Sequence, residues 1–223
     1  MVQVYRGVKE LERAGCAEEM WRVRYRTFVE EMKWPLPSRN GMERDCYDDD
    51  AAVYLVSRDD DRRIKASARL IPTTTPFLMD DIFAHLVNDP RALPRGPTVI
   101  EFTRYFIRSD VSRSRDVIRT AGEIFCGIFE FCLNEGVDTM LAVVDTRILP
   151  QAYEMGWSPT PLGMPCDFGG GPDAVGGGSA LAIKVDITEK ALRSTAHLRR
   201  VSLPALIGAE QPAAPQTPAI ILN

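Results

Sequence analysis

The sequence predicts a mixed α/β (α+β) fold: a single-domain, three-layer sandwich in which helices flank a mixed central sheet. Two observations predict it. Strand-like segments come first as an antiparallel group and then alternate with helical segments. The 223 residues, 45% of them hydrophobic, are also enough to bury one large core. We expect the domain to cover residues 1–203, followed by a poorly packed Pro/Ala-rich tail over residues 204–223.

Segments rich in β-branched and aliphatic residues predict the strands. They cover residues 2–6, 51–57, 63–71, 98–107, 139–144 and 180–187. The charged stretch RDDDR separates the second segment from the third, which predicts a hairpin with a solvated tip. The fifth segment contains TMLAVV, whose apolar content is typical of a buried strand.

Apolar residues at spacings of three and four predict the helices. The first helix covers residues 17–33 and ends before Pro35. Its apolar face includes Met20, Phe28 and Met32. The remaining helical segments are a long helix over 114–135, a short one over 148–155 and a short helix or turn over 77–87. The glycine-rich stretch at 168–179 precedes a strand, so we interpret it as a flexible loop.

Composition argues against several classes of function. The net charge is −4 and charges of both signs are dispersed, so we expect no nucleic-acid partner. The five cysteines contain no CxxC pair and there are two histidines, which disfavours a disulfide framework, a metal site and a histidine-based triad. The chain lacks a signal-peptide core and any run near the roughly 20 apolar residues of a membrane span. We therefore expect a cytoplasmic protein with no membrane span.

Four charged residues interrupt elements that are otherwise suited to burial. They are Arg24, Arg69, Glu101 and Arg104. A buried charge is costly unless it is paired, and the acidic cluster MERDCYDDD offers partners. From the residues alone two interpretations remain open: structural ion pairs beside solvated acids, or a functional site.

Four stretches of this chain resemble the acyl-homoserine lactone synthases, the LuxI-type autoinducer synthases. The stretches are RYRTFVEEMKW, ERDCYD, ARLIPTTTPFLMDDIF and EFTR. The matching positions are Arg24, Phe28, Trp34, Glu43, Asp45, Asp48, Arg69, Phe83, Glu101 and Arg104. Order, identity and spacing agree over residues 1–110, and YEMGW at 153–157 is similar to a later family segment.

The resemblance implies a fold similar to the Gcn5-type N-acetyltransferases and a defined reaction. Members join S-adenosylmethionine to an acyl thioester and release methylthioadenosine, which makes a quorum-sensing signal. S-adenosylmethionine is then a substrate, and we expect no cofactor. The acyl donor is an acyl carrier protein thioester or acyl-CoA, and we rank the carrier protein first because it is the family's commoner donor.

The resemblance also implies roles for the matching residues. Glu101 receives the proton of the substrate amine, directly or through water. The residues expected to bind S-adenosylmethionine are Arg24, Phe28, Trp34, Asp45 and Arg104, the two aromatic rings facing the sulfonium. Glu43, Asp48 and Arg69 are expected to complete an ion-pair network with them. Because Glu101 and Arg104 are three residues apart on a strand, a bulge is needed if both side chains reach one pocket.

The acyl chain is expected to occupy a tunnel where the strand at 98–107 splays from TMLAVV. Its predicted walls are Met79, Phe83, Phe102, Leu141, Ala142, Val143, Leu149 and Met155. Ala142 departs from the hydroxyl residue that members making 3-oxo products often carry. The basic residues Arg113, Arg115 and Arg119 predict either a docking site for the donor or a solvated helix start.

Two other functions remain open. One is a Gcn5-like acyltransferase that acts on another amine, for which Trp34 and the acidic cluster would have no role. The other is a noncatalytic sensor of S-adenosylmethionine or an acyl thioester, which the presence of Glu101 disfavours.

Overall fold

The computed structural model describes residues 1–111, 114–168 and 178–207. The strands in chain order are β1 (Val2–Arg6), β2 (Ser38–Arg39), β3 (Met42–Glu43), β4 (Val53–Arg58), β5 (Ile64–Pro72), β6 (Val99–Ile107), β7 (Thr139–Asp145), β8 (Thr160–Pro161), β9 (Cys166–Phe168) and β10 (Gly178–Asp186). The α-helices are α1 (Val8–Arg13), α2 (Ala17–Arg24), α3 (Leu78–Asp81), α4 (Ser114–Asn134), α5 (Leu149–Glu154) and α6 (Glu189–Arg199). A π-helical segment, Tyr25–Glu31, directly continues α2.

The predicted mixed sheet is confirmed. The strand order is β1-β4-β5-β6-β7-β10-β8, with β9 also paired to β10. β6 and β7 run parallel, whereas β4 and β5 form the predicted antiparallel hairpin. Parallel neighbours need a crossover connection, and α4 supplies it between β6 and β7.

Helices cover both faces of the sheet, which confirms the predicted three-layer sandwich. On one face Leu55 of β4 packs in a cluster with residues of α4 and α6. Its neighbour Tyr54 points to the opposite face, where α1 and α2 pack. On that same face α3 packs against Leu141 of β7. The alternation of side chains along each strand therefore divides the core into two layers.

The predicted bulge in β6 is present. Ser67 and Arg69 of β5 pair with Phe106 and Thr103 of β6, so one extra β6 residue lies between these pairs. Arg104 lies within this interval and has a φ of 51°, in the left-handed region that residues other than glycine seldom adopt.

The predicted separation of β6 from β7 is also present. Their pairing runs from Val99 and Thr139 to Phe102 and Ala142 and then stops. Both strands continue beyond that point, β6 to Ile107 and β7 to Asp145. The two strands therefore open a gap just after Phe102, one residue beyond Glu101.

Two sequence expectations differ from the structure. Met32, predicted on the apolar face of the first helix, is 41% exposed, because the wider π-helical turns change the angular phase of the residues after Arg24. The start of the predicted tail is packed: the N–H of Val2 donates to the carbonyl of Ala205 at 2.8 Å, and Leu206 bridges to Val2. Residues 208–223 and most of the glycine-rich loop, 169–177, lie outside the described residues.

None of the helices within the described ranges has both the length and the apolar character that a membrane crossing requires.

Candidate active site

Three arginines and three carboxylates from separate elements form one ion-pair network on the α2 face of the sheet. Arg24 ends α2, Arg69 lies on β5 and Arg104 on β6, while the acids come from β3 and the loop after it. The members are Arg24, Arg69, Arg104, Glu43, Asp45 and Asp48. We refer to these six residues as the charge network.

Arg24 and Arg69 share the buried acid Asp48. Arg24 places Nε 2.5 Å from Oε2 of Glu43 and Nη1 2.8 Å from Oδ1 of Asp48. Arg69 places Nη1 2.8 Å from the same Asp48 oxygen, and donates from Nη1 and Nη2 to the two oxygens of Asp45 at 2.5 and 2.9 Å. Two-pronged pairing of this kind fixes both the distance and the plane of the guanidinium.

Arg104, on β6, completes the charge network. Its Nη2 lies 3.1 Å from Oε1 of Glu43 and 2.8 Å from Oδ2 of Asp45. Burial is the main effect on this guanidinium and lowers the pKa of Arg104 despite the attraction of Glu43. Burial also opposes ionisation of Asp48, but Arg24 and Arg69 outweigh it and hold the pKa of that carboxyl well below its usual range.

The sequence did not single out two neutral partners that complete this network. The hydroxyl of Tyr54 donates to Oδ1 of Asp48 at 3.1 Å, and Nε of Arg69 donates to Oγ1 of Thr103 at 3.1 Å. Both lie on strands already predicted. The only signal available in the sequence was the alternation of side chains along each strand. That alternation predicts the sheet face on which a side chain lies, but it does not predict its hydrogen-bond partner.

Glu101 lies on the same face, next to the charge network, and holds the beginning of α3. Its Oε2 and Oε1 accept the backbone N–H groups of Leu78 and Met79, each at 2.8 Å. The residue is 1% exposed. Burial raises the pKa of Glu101 to about 7, although the two backbone N–H donors and Arg69 favour the carboxylate. A carboxylate with this pKa can take up and release a proton near neutral pH.

The two predicted aromatic residues are in contact. Phe28 and Trp34 are stacked, with ring centroids 5.3 Å apart and planes 9° apart. Phe28 is buried, whereas Trp34 is 36% exposed. The guanidinium carbon of Arg104 lies 5.8 Å from the Phe28 centroid. These rings and the charge network therefore border the same region, with Trp34 on its solvent side.

The structure places the eight predicted acyl-wall residues on both faces of the sheet. Met79, Phe83, Leu141 and Val143 lie with α3. Phe102, Ala142, Leu149 and Met155 lie with α4 and α6. The structure does not bring the eight into one cluster, because neighbours along β7 alternate between faces. Phe102 and Ala142 form the last pair before the gap between β6 and β7, and Val143 is the first β7 residue beyond that pair.

The basic residues predicted to dock the donor are only partly described. Arg115 is exposed near the start of α4, and Nε of Arg119 lies 3.4 Å from Oε1 of Glu123. Arg113 lies outside the described residues.

Two surface cavities lie away from the charge network. One of about 470 Å³ is lined by charged residues of α2 and by Arg108, and one of about 330 Å³ lies by Arg6, Phe131 and Val99. Over the described ranges, the structure contains no group of three or more His, Cys, Asp or Glu side chains arranged to hold a metal ion.

Similarity to known proteins covers most of the chain. The family model described as autoinducer synthase matches residues 8–175. The chain is 34% identical over 196 residues to the isovaleryl-homoserine lactone synthase of Bradyrhizobium diazoefficiens, an alignment that covers 87% of this chain and 83% of the relative.

Two solved structures are similar over nearly the whole fold. The CoA-dependent acyl-homoserine lactone synthase BjaI, with SAM and isopentyl-CoA, has a TM-score of 0.78 and 29% identity, covering 93% of this chain and 92% of BjaI. The CoA-dependent synthase MesI has a TM-score of 0.80 and 25% identity, covering 94% of this chain and 100% of MesI.

The class of protein that the fold defines is an acyltransferase with a GNAT-like fold. The chain belongs to the autoinducer synthase family, the acyl-homoserine lactone synthases that make quorum-sensing signals. The resemblance inferred from the four sequence stretches is thereby confirmed.

Proposed function

We propose that this enzyme joins the acyl group of a short, branched acyl-CoA to the amine of S-adenosylmethionine, and then closes the homoserine lactone with release of methylthioadenosine. One observation carries the proposal. The buried carboxylate of Glu101 lies beside the charge network and one residue before β6 and β7 separate. An amine held on the network side therefore meets a thioester carbonyl held in the gap.

In this proposal the rings and the charge network form the chamber for S-adenosylmethionine. The exposed face of Trp34 and the ring of Phe28 attract the sulfonium by cation–π interaction, without offering it a nucleophile. Arg104 is the arginine at the Phe28 ring, and its planar fork suits the methionine carboxylate. The remaining network members hold Arg104 in place, so little reorganisation is needed on binding.

Glu101 is proposed to receive the amine proton, directly or through water, because the backbone N–H groups of Leu78 and Met79 occupy only one acceptor site on each of its oxygens. An α-amine has a pKa of roughly 8, so its deprotonation near neutral pH costs about 1 kcal/mol. The freed nitrogen attacks the thioester carbonyl and forms the amide bond as the carbon–sulfur bond to CoA breaks. The proton that the nitrogen loses on forming the amide passes to the departing thiolate, which leaves as the CoA thiol. The methionine carboxylate then attacks its own γ-carbon, and the electron pair of the second carbon–sulfur bond neutralises the sulfonium. These steps need no metal or further cofactor.

The choice of CoA reverses the order of donors that the sequence favoured. It is supported by BjaI and MesI, which are described as CoA-dependent and match this chain over nearly its full length. A short, branched acyl group is supported by the isovaleryl specificity in the name of the Bradyrhizobium relative. A short acyl group also agrees with the close packing beside the gap, where Met79 and Leu141 are buried and leave little room for a long chain.

The test is turnover by the purified full chain with S-adenosylmethionine and a panel of donors. The panel contains isovaleryl, hexanoyl and octanoyl groups, each on CoA and on acyl carrier protein, with methylthioadenosine and lactone measured by mass spectrometry. We expect equal amounts of both products, with isovaleryl-CoA giving the highest kcat/KM. Higher activity on the carrier protein would overturn the donor proposal alone. Thioester consumption without methylthioadenosine would indicate acylation of another amine, and S-adenosylmethionine binding without turnover on any donor would indicate a sensor.

A further inference from the structure

A hydrogen bond joins the acidic loop of the charge network to α3. The hydroxyl of Tyr47 donates to Oδ2 of Asp81 at 3.0 Å. Tyr47 is buried, and its backbone N–H donates to Oδ1 of Asp45 at 3.0 Å. The guanidinium carbon of Arg69 lies 6.0 Å from the Tyr47 ring centroid. Tyr47 is thus fixed to the charge network on one side and to α3 on the other.

The same short helix holds the carboxylate of Glu101. α3 contains four residues, Leu78–Asp81, and its first two N–H groups donate to Glu101. Asp81 lies at its other end, where its own N–H donates to the carbonyl of Phe77 at 3.1 Å. The contacts therefore close a ring that runs from Glu101 through α3 and Tyr47 to Asp45, and back to β6 through Arg104.

Charged groups near this ring act on both Glu101 and Asp81. Arg69 from β5 and Asp81 from α3 act on Glu101, with opposite effects on its ionisation. Asp81 in turn faces Tyr47 from the acidic loop and Arg95 from the segment before β6. Arg95 is paired with Asp80, the neighbour of Asp81. Burial raises the pKa of Tyr47, and its bond to Asp81 adds to this, so the hydroxyl remains a donor over the working pH range.

We propose that Tyr47 and Asp81 are positioning residues for Glu101. Through the backbone of α3 they fix the Glu101 carboxylate relative to the charge network. This inference rests on the proposed function, in which Glu101 takes the amine proton. Positioning matters there because a displacement of about 1 Å at a reacting group can cost roughly 100-fold in rate.

The test compares Tyr47→Phe, Asp81→Asn and the double variant with Asp80→Asn as the matched control. Asp80→Asn removes the same charge one residue away on α3, from a carboxylate that pairs with Arg95 on the surface. For each protein, kcat, the two KM values, the pH dependence of kcat/KM, and the melting temperature are measured with isovaleryl-CoA.

We expect Tyr47→Phe to lower kcat about tenfold with the KM for S-adenosylmethionine changed less than threefold, because positioning and not binding is lost. We expect Asp81→Asn to move the acid limb of the profile roughly half a pH unit lower, since Glu101 loses a neighbouring negative charge. Tyr47→Phe should leave that limb in place. The double variant should lose less activity than the product of the two single losses, because both changes break one bond.

Two failures are distinguishable. If the wild-type chain makes no methylthioadenosine with any donor, the proposed function fails. If the wild-type chain is active but Tyr47→Phe and Asp81→Asn match Asp80→Asn in kcat and pH profile, the positioning inference alone is wrong. A fall in melting temperature without a change in kcat or in the acid limb would likewise assign the pair a purely structural role and overturn the inference.

Discussion

Glu101 and Arg104 are three residues apart on β6, yet both point to the α2 face of the sheet. The extra β6 residue opposite Ser67 and Arg69 makes this possible, since three steps along a regular strand would place the side chains on opposite faces. Arg104 adopts a left-handed conformation at the bulge. The strain of roughly 1 kcal/mol or more is offset by its pairing with Glu43 and Asp45. The bulge therefore brings the proposed base and the proposed carboxylate-binding arginine to one chamber.

We expect Glu101→Gln to lower kcat roughly 100-fold or more, because the variant cannot take up the amine proton. Binding of S-adenosylmethionine, measured by calorimetry, should change less than fivefold. The matched control is Glu123→Gln, a similarly buried carboxylate that pairs with Lys65 beyond the charge network. It should retain kcat within twofold. Equal losses of affinity and kcat in Glu101→Gln would make Glu101 a binding residue.

The pH profile should report the same group. The pKa of Glu101 is raised to about 7, and the base acts in its ionised form, so kcat/KM should fall about tenfold for each pH unit below pH 7. The profile is measured by methylthioadenosine release at saturating donor. A flat profile between pH 5.5 and 7.5 would exclude Glu101 as the titrating base.

Glu101 should also leave a signature in stability. Its pKa is about 7 in the folded chain, higher than the 4.5 of an ordinary glutamate in water, so the folded state binds the extra proton. Its contribution is therefore fully present below pH 4.5 and is lost as pH rises through 7, a change of at most about 3 kcal/mol. Relative to wild type, Glu101→Gln should gain free energy of unfolding over this window in urea titrations.

Glu123→Gln provides a control of opposite sign for that measurement. Burial opposes ionisation of Glu123, but Lys65 outweighs it and lowers the pKa of Glu123. Relative to wild type, this variant should lose stability above the ordinary pKa of a glutamate and recover as pH falls. The same slope in both variants would show that the Glu101 effect is not specific.

Asp48→Asn tests the charge network itself. Asp48 is buried between Arg24 and Arg69, so the change leaves two buried guanidinium groups short of a counter-charge. We expect the free energy of unfolding at pH 7 to fall by about 3–5 kcal/mol. Because the pKa of Asp48 is lowered in the folded chain, the wild-type advantage should be present above about pH 4 and be lost as pH falls further. The control is Asp60→Asn, on the exposed hairpin tip, which should change the free energy of unfolding by less than about 0.5 kcal/mol. A similarly small loss for Asp48→Asn would contradict the role assigned to the charge network.

Trp34→Ala should weaken S-adenosylmethionine binding roughly 2- to 30-fold, since one cation–π partner is removed. The melting temperature should change little, because Trp34 is 36% exposed. Trp34→Phe keeps an aromatic face and should restore most of the affinity. If Trp34→Ala instead unfolds the chain, Trp34 belongs to the core and the aromatic chamber is not supported.

Sequence periodicity predicted long, strongly apolar elements well. β1, β6 and α4 begin and end within one residue of the expected bounds. Two helices were missed, α1 with six residues and α6. The buried face of α6 consists largely of small residues, among them Ala191, Thr195 and Ala196, so its hydrophobic contrast is weak.

The sequence by itself determined the layered α/β fold and the family, along with the types of residue that carry charge into apolar elements. Those follow from local composition, spacing and motif identity. Only the tertiary structure decided which carboxylate meets which arginine, how Tyr47 and Asp81 connect α3 to the network, and how the acyl-wall residues divide between two faces. Such pairings join residues from separate strands and loops, and their geometry depends on strand register, the bulge at Arg104 and the gap after Phe102. None of these has a local signature in the chain.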